Sequence, residues 1–236
     1  MNLDPSTEPA DGRTAGKPIR VLIVDDDALV RAALTMMLSG SPQILLVGEA
    51  ADGNAVAEAV RTHHPDVVLM DIRMPRMDGL SATELLCQEP SPPEIIILTT
   101  FDADEYVLRA VRAGASGFLL KDTPPADLIR AIERVAAGDA MLSPAVTRKL
   151  MAHVTDPVGS VGATRRTRAM DLLSGLTDRE REVAVAIGQG KSNAEIGAEL
   201  YLSVATVKAH VSRLLTKLEL SNRVQVALLA HDSDLT

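Results

Sequence analysis

Asp25, Asp26 and Asp71 each stand at the end of an apolar run, and Thr99, Thr100 and Lys121 stand at the ends of two more. A carboxylate at the end of a buried run costs free energy unless something pairs with it. Taken singly, these residues have plain structural roles. Asp27 precedes a helical pattern and suits its N-cap, Asp71 could cap the following turn, Thr100 could pack or cap, and Lys121 could be a solvated loop lysine. Taken together, they point to different chemistry. Clustered carboxylates repel one another, which favours a hard divalent cation bound through oxygen. Mg²⁺ takes few protein ligands, several waters and a phosphate oxygen, and a lysine opposite adds a second positive charge for a transferred phosphoryl group. The set predicts a phosphoryl-acceptor site.

Such a site needs a frame that brings distant residues to one edge. From Ile19 the chain alternates short apolar runs with amphipathic stretches: "IRVLIV" then "ALVRAALTMML", "ILLVGEA" then "GNAVAEAVRTHH", "DVVLMD" then "LSATELLCQ", "EIIILT" then "ADEYVLRAVRAGA", "GFLL" then "PADLIRAIERVAAG". Near-continuous Val, Ile and Leu strands are what a parallel sheet covered on both faces requires. Five repeated strand–helix units imply right-handed crossovers and an open, doubly wound five-stranded parallel sheet. The ligand site of such a sheet lies beyond the carboxyl ends of its strands, where the candidate residues fall.

The whole chain sets further bounds. Its 236 residues suit two domains, and 46% hydrophobic residues supply a real core. The single cysteine, Cys87, allows no internal disulfide and suits a reducing cytoplasm. No apolar run is long enough to span a bilayer. Residues 1–17 are polar, lack the pattern of a signal peptide, and read as a disordered tail. The net charge of −8 is unevenly placed: residues 1–140 hold 12 Lys and Arg against 22 Asp and Glu, whereas residues 141–170 hold 5 against 1. Two modules with different partners follow from that asymmetry. The overall acidity argues against non-specific coating of nucleic acid, though not against a local DNA-binding face, and two Phe, two Tyr and no Trp argue against a base-stacking single-strand binder.

"VLIVDDDALVR", "VVLMDIRMPRMDG", "IIILTT" and "GFLLKD" resemble the receiver domain of two-component response regulators, a flavodoxin-like fold, over about residues 19–140. The resemblance implies that Asp71 is the phosphorylated residue. It implies that Asp26 is the main Mg²⁺ carboxylate, with Asp25 beside it, and that Asp71 and the backbone carbonyl of Arg73 complete the protein contacts. Thr99 would hydrogen-bond the phosphoryl oxygens, Lys121 would pair with them, and Phe118 would swing inward as the aromatic switch. Phe118 stands where the family often has Tyr, and Asp122 follows Lys121 where proline is frequent.

Residues 141–173 read as a linker, helical in part. "SPAVTRKLMAHV" suits one helix, with Ser143 as cap and Pro144 in its first turn, and "TDPVGSVGATRRTR" reads as a flexible basic hinge. From Leu176 the pattern is helical. "TDRE" and "SNAE" are capping boxes that open amphipathic stretches. "GQGKS" is no phosphate-binding loop, because Val185 stands where the motif needs glycine and no strand precedes it. In "VATVKAHVSRLLTKL" the residues Val207, Val211, Leu214, Leu215 and Leu218 form an apolar stripe, while Ala205, Lys208, Ala209, Ser212, Arg213 and Thr216 lie opposite. Small and basic residues on one face suit a DNA groove, but the pattern alone fits a generic α-hairpin equally well.

"LTDREREVAVAIGQGKSNAEIGAELYLSVATVKAHVSRLLTKLELSNRVQVALLA" resembles the LuxR-type helix-turn-helix, an all-α four-helix domain, which sets residues 174–236 as the DNA-binding module and 18–140 as the receiver. That order of modules is similar to the NarL/FixJ response regulators. The resemblance places Thr206, Lys208, Ala209, His210, Ser212 and Arg213 on the DNA-contacting helix and gives the last helix to dimerisation. It implies a sensor histidine kinase, double-stranded promoter DNA and the transcription machinery as partners, a homodimer on phosphorylation, and no enzymatic role. The competing reading is a Mg²⁺-dependent phosphohydrolase with an aspartate nucleophile, since "DDDAL" loosely mimics an Asp-x-Asp start. It would leave the helical tail unexplained.

Overall fold

The computed structural model describes residues 17–100, 104–142 and 159–233. Its first domain alternates strands and helices: β1 Ile19–Val24, α1 Ala28–Leu38, β2 Ile44–Ala50, α2 Gly53–His63, β3 Val67–Asp71, α3 Gly79–Leu86, β4 Glu94–Thr99, α4 Asp104–Ala113, β5 Gly117–Leu120 and α5 Pro125–Ala136. The strands form one parallel sheet in the order β2-β1-β3-β4-β5, extended at its edge by the two-residue β6, Met141–Leu142. The sixth strand departs from the expected five. Gly117 and Phe118 pair with Met141 and Leu142, so the chain leaving α5 adds one short rung before exiting.

Strand residues alternate between two cores, which is why both faces read as apolar. Leu22, Val24, Val68, Met70, Ile95 and Ile97 face α2, α3 and α4, whereas Val21, Ile23, Leu69, Ile96 and Leu98 face α1 and α5. β1 lies between β2 and β3, so successive crossovers leave it in opposite directions and open a crevice at the carboxyl ends of β1 and β3.

The second domain comprises α6 Gly159–Ser174, α7 Asp178–Gly188, α8 Asn193–Leu200, α9 Val204–Leu218 and α10 Arg223–Asp232. Both predicted capping boxes are present, Thr177 with Glu180 on α7 and Ser192 with Glu195 on α8. Ser203 caps α9, and Val207, Val211, Leu214 and Leu218 are buried, as the apolar stripe predicts. Leu215, expected in the same stripe, is only partly buried.

The expected hinge is corrected by α6. Residues 159–168, read as flexible, are helical, and the same helix buries Ala169 and Leu173 against the tail domain. Its string of Gly, Ser, Thr and Arg carries little periodicity, and the helix is supported by docking. The helical module therefore begins before residue 174. The helix expected at Ser143 and Pro144, like the tail 1–16, lies outside the described residues.

Candidate functional site

Asp25 and Asp71 are 1% and 6% exposed at adjoining strand ends, whereas Asp26 is exposed at the rim. Ligating oxygens of the three lie within 4.8 Å of one another. Lys121 reaches across from the end of β5, its Nζ 2.7 Å from Asp25 Oδ2 and 2.9 Å from Asp71 Oδ1. Asp25 Oδ2 is buried and accepts no directed hydrogen bond, so this ion pair is what the structure offers it. An all-oxygen cluster with such an atom fits a hard cation such as Mg²⁺.

Burial pushes the Asp71 carboxyl up; the hydrogen bond and charge of Lys121 oppose that rise, and Asp25 adds to it. Lys121 is itself raised: burial pulls it down, and the two carboxylates outweigh that. The site thus holds a buried carboxylate whose charge depends on an opposing cation.

Neighbouring elements hold these groups in place. The Lys121 amide donates to the Thr99 carbonyl (2.8 Å), tying the ends of β4 and β5 together. Arg31 of α1 donates to the Asp25 carbonyl (2.7 Å) and pairs with Glu49 (3.1 Å). Asp27 caps α1 by accepting from the Leu29 amide, its expected structural role. Asp52, 3% exposed, caps α2 and accepts from both the amide and Nε of Arg76 (each 3.2 Å), which anchors the loop carrying Arg73. Sequence reasoning passed over Arg31 and Asp52. Asp52 stands just before "GNAVAEAV", a visible capping signal, whereas nothing local marks Arg31.

Thr99 is buried, and its hydroxyl donates to the Thr100 carbonyl (3.2 Å). Phe118 is 1% exposed within the core that faces α4. Its ring points into the same core as Val107, Ala110 and Val111. Among the described residues no peptide bond is cis, so Lys121–Asp122 is trans.

On α9, Thr206, Lys208, Ala209, Ser212 and Arg213 share exposed surface, and His210 is half-buried with Nδ1 enclosed. The Thr206 hydroxyl lies 2.8 Å from Ser203 Oγ in the helix cap. Lys208 is not free, because its Nζ donates to the Ala136 carbonyl of the first domain (3.1 Å). Around it the two domains meet through groups that sequence reasoning missed. Asn222 Nδ2 donates to the Val111 and Ala115 carbonyls (both 2.9 Å), and Gln225 Nε2 donates to those of Val111 and Arg112 (2.8 and 3.2 Å). Asn193 donates through its amide to Asp139 Oδ1 (2.9 Å) and through Nδ2 to the Ala137 carbonyl (2.8 Å). Arg223 Nη1 donates to the Gly138 carbonyl and to Asp139 (3.0 and 2.9 Å). Val224 of α10 is buried in the receiver-side core beside α4.

Comparison with known proteins agrees with both halves. Residues 21–133 match the response regulator receiver domain, and residues 174–230 match the LuxR family of bacterial regulatory proteins. The chain is 38% identical over 217 residues to the transcriptional regulatory protein LiaR of Bacillus subtilis (strain 168), covering 92% of this chain and 99% of that protein. It is 35% identical over 215 residues to the nitrate/nitrite response regulator NarL of Escherichia coli (strain K12), covering 91% and 96%. Its fold is similar to the crystal structure of the response regulator ChrA of a heme-sensing two-component system, with TM-score 0.50 and 36% identity over 93% of this chain and 99% of that one. These relatives are regulators, and the phosphohydrolase reading finds no support among them. The chain belongs to the NarL/FixJ family of response regulators, a receiver domain joined to a LuxR-type DNA-binding domain.

Proposed function

We propose that Asp71 accepts a phosphoryl group from the phosphohistidine of a sensor kinase, and that the DNA-binding domain answers by binding promoter DNA as a homodimer. The observation that carries this reading is the pairing of buried Asp71 with Lys121 at the carboxyl ends of β3 and β5, with Asp25 and Asp26 alongside. An Asp71 oxygen attacks phosphorus in line, the O–P bond forms as the P–N bond breaks, and the imidazole leaves with a proton. Asp25, Asp26, Asp71 and the Arg73 carbonyl are the groups that would hold Mg²⁺, which when bound neutralises charge on the phosphoryl oxygens. Lys121 turns from its carboxylates to the new phosphoryl group, and the Thr99 hydroxyl supplies a hydrogen bond to it. Arg31 and Asp52 keep the acidic end of β1 and the loop after β3 in register.

On the output side, Lys208, Arg213 and Thr206 are suited to phosphates and Ala209 and Ser212 to base edges. His210 stands behind that face. The regulator works in the cytoplasm, where promoter DNA and the transcription machinery are. No described helix is long and apolar enough to cross a membrane.

The test is labelling with a small phosphodonor and Mg²⁺. Wild type should gain one acid-labile phosphoryl group, and Asp71→Asn should gain none. Asp26→Ala should suppress labelling as chelation does. Equal labelling of wild type and Asp71→Asn would remove the assignment.

A further inference from the structure

Three consecutive carbonyls at the end of α5 and the carboxylate that follows them accept hydrogen bonds from the DNA-binding domain. Ala136 takes Lys208, Ala137 takes the Asn193 side chain, and Gly138 takes Arg223. Asp139 Oδ1 takes both the Asn193 amide and Arg223 Nη1, each at 2.9 Å. The end of α5 is the negative end of its dipole, so four acceptor groups present a compact negative surface. Asn193 is the first residue of α8, where the free amides of a helix start point outward and favour an oxyanion. Gly138 makes the fit possible. It holds φ +83, and a Cβ there would lie 2.9 Å from Asn193 Nδ2 and 3.8 Å from Lys208 Cε.

The same groups have a second use once the receiver is gone. Arg223 keeps two partners inside its own domain, the Lys191 carbonyl (2.6 Å) and Asn193 Oδ1 (3.2 Å), which hold its guanidinium beside the α8 amino terminus. The Asn193 amide, one edge of Arg223 and the Lys208 ammonium would then converge with no acceptor. In a helix-turn-helix the first helix of the pair crosses the DNA backbone while the second enters the groove. Here α8 is that first helix, and Lys208 lies on the second. The oxyanion already seated on Asn193 and Arg223 shows what chemistry the place takes.

We propose that the amino terminus of α8 and Arg223, with Lys208 at their edge, form a seat for a backbone phosphate of duplex DNA, which Asp139 and the end of α5 fill in the phosphate's place when the domains are closed. The receiver then blocks DNA by imitating it. The seat rests on the DNA-binding reading above, and it adds Asn193 and Arg223 to the contact set and gives Asp139 a competitive role.

The test uses the full chain, without phosphodonor, titrated with a random-sequence DNA duplex across salt concentrations, because a phosphate contact is independent of sequence. Asp139→Ala should bind about tenfold more tightly than wild type, with a steeper salt dependence. Adding Arg223→Gln to Asp139→Ala should cancel that gain and lower the salt slope by about one unit. Asn193→Asp places a charge where a helix start tolerates it, repels both Asp139 and phosphate, and should open the domains while binding DNA more weakly than Asp139→Ala. That variant carries the test if the Arg223 substitution prevents folding. If Arg223→Gln or Asn193→Asp binds as tightly as Asp139→Ala with the same slope, these residues only latch the domains and the seat is wrong. If no variant binds duplex at low salt, and Lys208→Ala changes nothing, the DNA-binding reading fails and takes the seat with it.

Discussion

As the proposed phosphoacceptor, Asp71 must be ionised, yet it is buried where ionisation is disfavoured, so the proposed chemistry and the stability of the fold pull in opposite directions. Burial raises its titration, and Lys121, with a smaller contribution from the Ile72 backbone amide, opposes the rise. Phosphoacceptance should therefore fall as pH drops through this raised value, and in Lys121→Met the acid limb should move to higher pH because burial and the repulsion of Asp25 are then opposed by no cation. Labelling rates across a pH series check this; an unmoved limb would mean that Lys121 does not set the charge of Asp71. Stability follows with the opposite sense. A carboxyl whose folded value lies above its unfolded one binds more protons in the fold, so its contribution is lost as pH rises through the folded value. Asp71→Asn should thus melt higher than wild type at neutral pH without Mg²⁺, and Lys121 would still hold Asp25. The difference should shrink as the pH is lowered and Asp71 takes up its proton, or when Mg²⁺ is added to wild type. A thermal denaturation series with and without the metal reads both.

The helices around the sheet matter by how closely they approach its ends. Gly79 opens α3, and a Cβ there would lie 1.9 Å from the Asp71 carbonyl oxygen, closer than any packing allows. Gly79→Ala must push α3 away from β3 or tilt Asp71. It should cost about 1–3 kcal/mol, the range for overpacking, and slow phosphorylation. Urea melts and labelling rates measure the two effects. Asp71, Pro75 and Gly79 were all legible in "VVLMDIRMPRMDG", because buried parallel strands are written as continuous apolar runs and the site residues sit where those runs end. α6 was not legible, since its helix depends on seating Ala169 and Leu173 against the tail domain, a tertiary gain that a Gly-, Ser- and Arg-rich string does not announce. Leu173→Ala should accordingly destabilise the tail domain by about 2–5 kcal/mol, whereas Met170→Ala on the exposed side should stay within about 0.5 kcal/mol. Equal effects of the two would show that α6 is not packed as described. Asp139 with Asn193 and with Arg223 was out of reach for the same reason: the pairs are 54 and 84 residues apart, and only the docking of two domains brings them together.

At the scale of the whole molecule, the domain contact has the strength a switch needs. Its hydrogen bonds replace bonds to water, so each contributes only about 0.5–1.5 kcal/mol net. Converting a mostly closed population into a mostly open one takes about 5 kcal/mol of differential stabilisation, comparable to the sum of a few such bonds. The contact also reaches the helix that packs on Phe118, because Asn222 and Gln225 hold carbonyls at the end of α4 and Phe118 shares a core with Val107, Ala110 and Val111 of that helix. Val224 of α10, the helix that the family resemblance gives to dimerisation, is buried against the receiver, so closure and dimerisation through that surface exclude one another. Phosphorylation should therefore bring tighter DNA binding, a shift toward dimer and separation of the domains together. The chain carries its own reporter of that separation. Cys87, its single cysteine, lines the cavity of about 530 Å³ between the domains beside Ser221 and Asn222, and burial, with a smaller push from Glu94, raises its thiol from 9.0 to about 11. A thiol two units above its ordinary value holds about 100-fold less thiolate at neutral pH, and thiolate is the form that alkylating reagents capture. Cys87 should thus react slowly in the resting protein and several-fold faster after phosphodonor and Mg²⁺ are added, with Asp71→Asn staying slow under both conditions. Asp139→Ala should react fast without phosphodonor. A Cys87 rate indifferent to phosphorylation, in a protein whose DNA affinity nevertheless rises, would show that the switch acts without parting the domains at this surface.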